Sequence, residues 1–266
     1  MRMRASAAVA AGALALTTLT TLTALTALTA PAARADDYRG DIKISGVVVN
    51  GGKPVVLGTT AKKTFTVSFT VTDGSGVSMA KVLMWHGPSF ARMDYAILPN
   101  TSYASCTKSG ATSVNCRQTF TVGPASNMLN TYAGTWRLTA SAQAKDFDYV
   151  QKDDLKSFRV QRDSRLTAAA APKTVKKGAT VTVKGKLSRA NWDTGRYGGY
   201  GSRSVRLQFR KKGGTSYTTV KTIKADAGGN LKTTVKASTS GSYRYTFAGD
   251  TTTPAAWATG AYVTVK

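Results

Sequence analysis

Apolar and polar residues alternate with a period of two along much of this chain, and we find no convincing amphipathic helical pattern. In the run TFTVSFTV the apolar residues from Phe65 to Val71 share one face, while threonine and serine occupy the other. Successive side chains of a β-strand point to opposite faces of its sheet, so this pattern predicts a half-buried strand. The same alternation returns in VNCRQTFTV and TWRLTASAQA. The sequence therefore predicts an all-β protein.

A second series of strand-like runs fills the last hundred residues, interrupted by turn sequences such as KKGGTS and DAGGN. Glycines in such turns supply the positive φ angles that tight hairpins need. The runs span 181–187, 204–210, 217–225, 231–237, 242–248 and 261–265. With a short first strand near Leu166, this makes about seven strands in roughly 100 residues, which is typical of a β-sandwich.

The two halves of the chain also share a segment late in each, Gly134-Thr135-Trp136 and Gly241-Ser242-Tyr243. A Gly-x-aromatic at the start of the sixth strand resembles the corner motif of immunoglobulin-like sandwiches, in which the aromatic residue braces a turn. On this basis the chain resembles the secreted tandem immunoglobulin-like proteins of high-GC Gram-positive bacteria, whose functions are mostly unassigned. The resemblance covers nearly all of 36–266. It implies two tandem immunoglobulin-like β-sandwich domains and an extracellular setting, but no particular chemistry.

The first 35 residues have the features of a secretory signal peptide. Arg2 and Arg4 give a positive start, an Ala/Leu/Thr run follows, and Ala33-Arg34-Ala35 offers a cleavage site. An uncleaved membrane anchor is the alternative, because roughly 20 apolar residues span a bilayer. Many threonines dilute the run, so we expect a cleaved signal, a secreted or cell-wall-associated protein, and no membrane span after cleavage.

We place the boundary between the two domains near Gln161 to Arg165, which gives domains of 36–163 and 164–266. The linker is only a few residues long and contains neither Gly nor Pro. We therefore expect the domains to hold a restricted relative orientation.

The chain has two cysteines, Cys106 and Cys116, with nine residues between them. In an exported protein such a pair predicts a disulfide that closes a small hairpin in the first domain.

Positive charge is concentrated in the second domain. Residues 36–163 hold 15 Lys and Arg against 10 Asp, whereas 164–266 hold 19 against 3, a net of +16. Like charges on outward positions of paired strands repel each other, and an anionic polymer with closely spaced charges relieves that repulsion. The alternative is a generally basic surface with no dedicated partner. The candidate polyanion-binding residues are Lys184, Lys186, Arg189, Arg196, Arg203, Arg206, Arg210, Lys232, Lys236 and Arg244.

The stretch NWDTGRYGGYGSR, 191–203, is read as a loop between the second and third strands of the second domain. In an immunoglobulin-like sandwich it emerges at the same end as the loop 249–260. The sequence thus predicts an aromatic tip that grips a charged glycan, formed by Trp192, Tyr197, Tyr200 and Trp257 and rimmed by arginines. In the competing interpretation, Trp192 or Trp257 turns inward and plugs the open end of the sandwich.

The residues that enzymes use near neutral pH are scarce. His86 is the only histidine, and its position after Leu83-Met84-Trp85 is typical of a packed imidazole at the end of a buried strand. We therefore expect no enzymatic activity and no cofactor.

The acidic stretch AKDFDYVQKDD suggests a calcium site, with Asp146, Asp148, Asp153 and Asp154 as candidate ligands. It lacks the pattern of an EF-hand loop, so a solvated loop is the alternative.

Three functions remain open from the sequence. The first is a secreted, non-catalytic module that binds an anionic envelope polymer or polysaccharide, with no dedicated nucleic-acid role. The second is a structural or protein-interaction module of the envelope that uses exposed sheet edges. The third is a calcium-binding extracellular protein.

Overall fold

The structure is a computed structural model that describes residues 36–124 and 126–266. The predicted signal peptide, 1–35, lies outside the described residues. These residues form β-strands and three short 3-10 turns, Asn50–Gly52, Phe90–Arg92 and Asn130–Tyr132. Within the described ranges, no helix has the length and apolar character needed to span a bilayer. The all-β, immunoglobulin-like β-sandwich prediction is confirmed.

Ten strands form what we call the first sandwich. They are β1 (Asp37–Arg39), β2 (Lys43–Val49), β3 (Val55–Leu57), β4 (Lys63–Thr72), β5 (Val77–His86), β6 (Tyr95–Ile97), β7 (Ser105–Lys108), β8 (Ser113–Val122), β9 (Gly134–Ala144) and β10 (Tyr149–Arg162). One sheet has the order β1-β10-β9-β5-β6, and the other has the order β2-β4-β8-β7. The short strand β3 pairs in parallel with the end of β10.

Eleven strands form the second sandwich. They are β11 (Ser164–Leu166), β12 (Ala169–Ala171), β13 (Thr174–Val175), β14 (Thr180–Asn191), β15 (Arg196–Gly199), β16 (Ser204–Lys211), β17 (Thr218–Lys224), β18 (Asn230–Lys236), β19 (Gly241–Phe247), β20 (Ala256–Trp257) and β21 (Ala261–Val265). On one side, β11, β12, β15 and β18 all pair with β14; on the other, the order is β13-β21-β19-β16-β17. Here too a short strand, β13, pairs in parallel with the last strand, β21.

The period-two alternation explains where the hydrophobic cores lie. In β4 every second residue from Phe65 to Val71 is buried, and these side chains join the core of the first sandwich. Val181, Val183 and Leu187 of β14 do the same in the second sandwich. The core of the first sandwich also takes in Ala190 and Trp192, which belong to β14 and the turn after it. The domain bounds 36–163 and 164–266 therefore stay a prediction, because the described residues belong to one compact unit.

The corner motif is present in the first sandwich. Trp136 is fully buried, and its indole Nε1–H donates a hydrogen bond of 2.7 Å to the carbonyl of Tyr132, four residues upstream. The turn between these residues needs Gly134, whose φ is +143°. The corresponding Tyr243 of the second sandwich instead packs on the ring of Phe209, with ring centres 4.7 Å apart.

The predicted disulfide is confirmed. Strands β7 and β8 pair antiparallel in a register that sets Cys106 directly opposite Cys116, with their Cα atoms 4.0 Å apart. Cys116 is fully buried, so the bond ties the edge strand β7 to the core of the first sandwich.

Candidate functional site

Four lysines lie on the outer surface of the sheet that contains β14 and β18. The two strands pair antiparallel, and their register sets Lys184 directly opposite Lys232. The neighbouring residues Val183 and Leu231 are buried in the core, so the alternation of the strands turns the lysines outward. We call this surface the lysine face. It consists of Lys184, Lys186, Lys232 and Lys236, all of which are exposed.

The lysine face has little acidic compensation. Neither β14 nor β18 contains an Asp. Asp226, in the turn before β18, is held by Asn230: side-chain and backbone hydrogen bonds from Asn230 lower the pKa of Asp226, and the charge of Lys186 adds to the effect. Like charges placed directly opposite each other on paired strands destabilise the sheet. A bound polyanion would remove this repulsion.

Three arginines lie on the outer surface of the other sheet of the second sandwich. We call Arg206, Arg210 and Arg244 the arginine face. Arg244 donates from Nε to Oε1 of Gln208 at 3.0 Å, and its guanidinium lies 3.8 Å from the ring centre of Tyr217. Arg210 lies 4.8 Å from the same ring. Two of the three arginines are thus engaged within the protein, and Arg206 is exposed.

The arginines predicted to rim the tip differ in their surroundings. Arg189 is half-buried: its guanidinium lies 3.9 Å from the ring centre of Tyr200 and donates to Oγ1 of Thr252 and Thr253 at 3.3 and 3.2 Å. Burial lowers the pKa of Arg189. The guanidinium of Arg203 lies 4.4 Å from the ring centre of the same tyrosine, Tyr200. Only Arg196 is exposed without such a contact among the described residues.

The predicted aromatic tip is not assembled. The stretch read as a loop is a hairpin, because β14 extends to Asn191 and pairs with β15, Asn191 opposite Arg196. Trp192, at the end of this hairpin, is 1% exposed and packs into the core of the first sandwich. Its Nε1–H donates to the carbonyl of Leu57 at 3.3 Å. Trp192 thus turns inward, as in the competing interpretation, but it enters the core of the first sandwich and does not plug the end of its own.

The other three aromatic residues differ in their contacts and exposure. Tyr197 donates to Oδ2 of Asp163 at 2.6 Å, and its ring lies under the guanidinium of Arg165 at 3.6 Å. Tyr200 is 5% exposed and hydrogen-bonded to Asp250. Trp257 is 69% exposed on β20. A stacking surface for a sugar ring therefore rests on Trp257 alone among the four.

The hairpin and the loop 249–260 do meet, and they meet against the end of β10. We call this region the junction. The side chain of Gln161 donates to the carbonyl of Asp250 at 2.8 Å, and the backbone N–H of Arg162 donates to the carbonyl of Thr252 at 2.9 Å. Arg162 is buried and donates from Nε to the carbonyl of Ala190 at 2.6 Å. Burial, with the charge of Arg189, lowers the pKa of Arg162 to about 10.

Asn130 of the first sandwich holds the tip of the hairpin through both ends of its amide. Its Oδ1 accepts the backbone N–H of Trp192 at 2.9 Å, and its Nδ2 donates to Oδ1 of Asn191 at 2.7 Å. The backbone N–H of Asn130 donates to Oδ1 of Asp193 at 3.0 Å. The end of the hairpin, part of the predicted binding tip, is therefore held against the first sandwich, while Trp257 on β20 stays exposed.

The acidic residues named from the sequence do not form one group. Asp153 is buried and accepts a hydrogen bond from Gln151 at 2.8 Å, while Asp154 pairs with Arg137 at 3.0 Å. Asp146 accepts the backbone N–H of Asp148 at 3.2 Å. Of the four, Asp148 alone belongs to a carboxylate cluster, together with Asp41 and Asp73.

Asp41 and Asp73 were missed by the sequence analysis, although Asp73 carries a signal. It occupies the inward position that follows Val71 in the alternation of β4, and it is 2% exposed. An acidic residue in the inward series of a strand must find a partner.

His86 is engaged within the first sandwich. Its Nδ1 is hydrogen-bonded to Oδ1 of Asp94 at 2.7 Å, and its ring lies 5.6 Å from that of Trp136 and 5.9 Å from that of Tyr132. These contacts agree with the packed imidazole that the sequence predicts.

Residues 57–142, about a third of the chain, match the model of a family described as "Family of unknown function (DUF5707)". None of the curated proteins compared with the chain matches it. The immunoglobulin-like fold is confirmed, and the expected kinship with secreted proteins of high-GC Gram-positive bacteria stays a prediction.

Among solved structures, the chain is similar to the fibronectin(III)-like modules of CbhA from Clostridium thermocellum, at 13% identity over 83% of this chain and 95% of that one, with a TM-score of 0.32. The amphioxus IgVJ-C2 molecule is 10% identical over 79% and 99%, with a TM-score of 0.27. Latent PorU from Porphyromonas gingivalis is 12% identical over 84% of this chain, with a TM-score of 0.30, and the chain spans 20% of its length. Scores this low carry no argument about function.

Proposed function

We propose that the chain is a secreted, non-catalytic binding module that attaches to an anionic polymer of the cell envelope through the lysine face. The observation that carries this proposal is the direct pairing of Lys184 with Lys232 across β14 and β18.

The spacing of the lysine face suits a polymer with repeated charges. Opposite residues on paired strands have Cβ atoms about 5 Å apart, and outward residues along one strand, such as Lys184 and Lys186, are about 7 Å apart. Lysine is a flexible point charge, which can follow phosphates or carboxylates without fixed geometry. The outward neighbours Thr180, Thr182 and Thr234 are short, so they leave the lysines accessible.

The rest of the basic surface supports the same partner. The arginine face lies on the opposite sheet of the second sandwich, where Arg206 is exposed. Arg196 is exposed on the hairpin. Wall teichoic acids, anionic lipids and acidic polysaccharides carry closely spaced phosphates or carboxylates, and a secreted protein meets them first. The arginines that contact Tyr200 and Tyr217 contribute less, because the protein itself already engages them.

Two further features support a non-catalytic module of the cell exterior. The pKa values of Arg162, Arg189 and Tyr197 are shifted chiefly by burial at the junction. There Arg162 donates to Ala190 and Tyr197 packs against the core of the first sandwich, so the shifted groups have structural contacts. The disulfide and the signal-like N-terminal sequence suit an oxidising compartment.

Co-sedimentation with purified cell-wall sacculi, with and without teichoic acid, tests the proposal across a salt series. We expect pelleting that requires the teichoic acid and weakens steeply as salt rises, because counterion release dominates the binding of polyanions. Pelleting that depends on neither salt nor teichoic acid would contradict the proposal.

A protein-interaction module is the second candidate, and the edge strand β17 favours it. This strand pairs on one side with β16, and its residues 218–222 are all exposed, Val220 at 46%. Exposed edges can accept a strand from a partner, although Lys221 and Lys224 are residue types that discourage indiscriminate pairing. Salt-insensitive association with a protein would favour this function over the first.

A further inference from the structure

Three acidic side chains from separate segments converge at the end of the first sandwich. Asp41 lies between β1 and β2, Asp73 follows β4, and Asp148 precedes β10. Each offers a carboxylate oxygen, and the three oxygens lie within 4.8 Å of one another. Carboxylates this close repel one another unless a cation or a shared proton lies among them.

Asp73 is the least explained member of the cluster. It is 2% exposed, and its Oδ1 accepts two hydrogen bonds of 2.7 Å from Ser75, one from the backbone N–H and one from Oγ. Its Oδ2 is inaccessible and has no hydrogen-bond partner among the described residues. A buried ionised carboxylate with a free oxygen is costly unless it is paired or coordinates a metal.

The backbone around Asp148 is shaped to hold its carboxylate in place. Oδ2 of Asp148 accepts the backbone N–H of Asp41 at 3.0 Å. A Cβ on Gly40, whose φ is +79°, would lie 1.6 Å from this oxygen, so the carboxylate occupies the space that a side chain at residue 40 would fill. Phe147 adopts a φ of +70° beside it, although it is not a glycine.

The cluster takes part in no ion pair among the described residues. The ion pairs among the described residues engage Asp36, Asp94, Asp154 and Asp250, and none of them includes Asp41, Asp73 or Asp148. The side chain of Lys145 instead lies against the backbone at Gly76. In a chain with a formal net charge of +24, this leaves a local concentration of negative charge.

We propose that Asp41, Asp73 and Asp148 bind a calcium ion. Calcium takes six to eight oxygen ligands in flexible geometry, so three carboxylates with water or backbone carbonyls suit it, whereas magnesium demands near-ideal octahedral geometry. Among the four aspartates named from the sequence, Asp148 alone is a ligand. The site is separate from the lysine face: it lies at the start of β10, whereas the second sandwich meets the other end of that strand.

Calorimetric titration of the purified protein with CaCl2, after treatment with chelator, tests the site. We expect one ion per chain with a Kd of about 0.1–1 mM, the range of extracellular modules. At a tenfold excess of CaCl2 over Kd, the Tm should rise by about 3–6 °C. The same concentration of MgCl2 should have a smaller effect.

Two variants and one control make the test specific. Asp41→Asn, at an exposed residue, should weaken calcium binding at least tenfold while the protein stays folded. Asp73→Asn should abolish the calcium response and leave the Tm in chelator unchanged or higher, because it removes an unpaired buried charge. A purely structural Asp73 would instead lower that Tm. Asp154→Asn, which removes an acidic residue outside the cluster, should bind calcium as the wild type does.

No heat of binding and no Tm shift with millimolar CaCl2 would overturn the proposal. Equal effects of CaCl2 and MgCl2 would overturn the assignment to calcium, and loss of binding in Asp154→Asn as large as in Asp41→Asn would show diffuse charge screening instead. None of these results bears on binding through the lysine face.

Discussion

The indole Nε1 of Trp192 donates a hydrogen bond to the backbone carbonyl of Leu57 at 3.3 Å, across 135 residues of sequence. The bond joins the hairpin of the second sandwich to strand β3 of the first, and the ring is 1% exposed in the core of the first sandwich. The tryptophan that looks most suited to grip a ligand is therefore an anchor of the junction.

Trp192→Ala should destabilise the protein by about 3–5 kcal/mol, because it empties a buried aromatic site. Trp257→Ala is the matched control: this side chain is 69% exposed, so the change should stay within about 0.5 kcal/mol. Urea unfolding followed by circular dichroism measures both. An unchanged midpoint for Trp192→Ala would show that the indole does not anchor the junction.

Asn130→Ala should loosen the hairpin without unfolding either sandwich. The backbone N–H of Trp192 donates to Oδ1 of Asn130, so hydrogen exchange at that amide should accelerate by about tenfold or more once the acceptor is gone. Asn100→Ala serves as the control, since Asn100 donates to Thr119 and Thr121 within the first sandwich. Equal protection of the Trp192 amide in both variants would contradict this role of Asn130.

Acid should weaken the cluster around Asp250. Burial alone would raise the pKa of Asp250, but hydrogen bonds from Tyr200 and Thr252 and the charge of Arg203 lower it below the usual 3.8. A group with a lowered folded pKa stabilises the fold above its unfolded pKa, and this contribution is lost as pH falls through the folded value. The urea midpoint of the wild type should therefore fall below pH 4 more steeply than that of Asp250→Asn. Parallel pH profiles would show that Asp250 contributes nothing.

Local patterns predict most of the strands and the disulfide. The alternation in TFTVSFTV corresponds to β4, and the run 261–265 coincides with β21. The same parity turns Lys184 and Lys232 outward, because strand alternation is a property of the backbone that needs no knowledge of distant residues.

Contacts between distant segments could not be predicted in this way. Trp192 is buried by Leu57 and held by Asn130, both in the other sandwich, so nothing in NWDTGRYGGYGSR shows where the indole goes. The carboxylate cluster likewise draws Asp41, Asp73 and Asp148 from three loops that only the fold brings together.

The salt dependence of binding by a charge-matched pair of variants tests most directly whether the lysine face binds an anionic polymer. Lys184→Gln/Lys232→Gln removes the opposed lysines, while Lys211→Gln/Lys212→Gln removes two exposed lysines from the hairpin between β16 and β17. Both reduce the net charge equally. In sedimentation with teichoic-acid-bearing sacculi, we expect the first variant to bind more weakly and its log–log salt slope to fall by about 1 or more, while the second stays close to the wild type. If the first variant bound as the wild type does, or both variants lost binding equally, the lysine face would not be the binding surface.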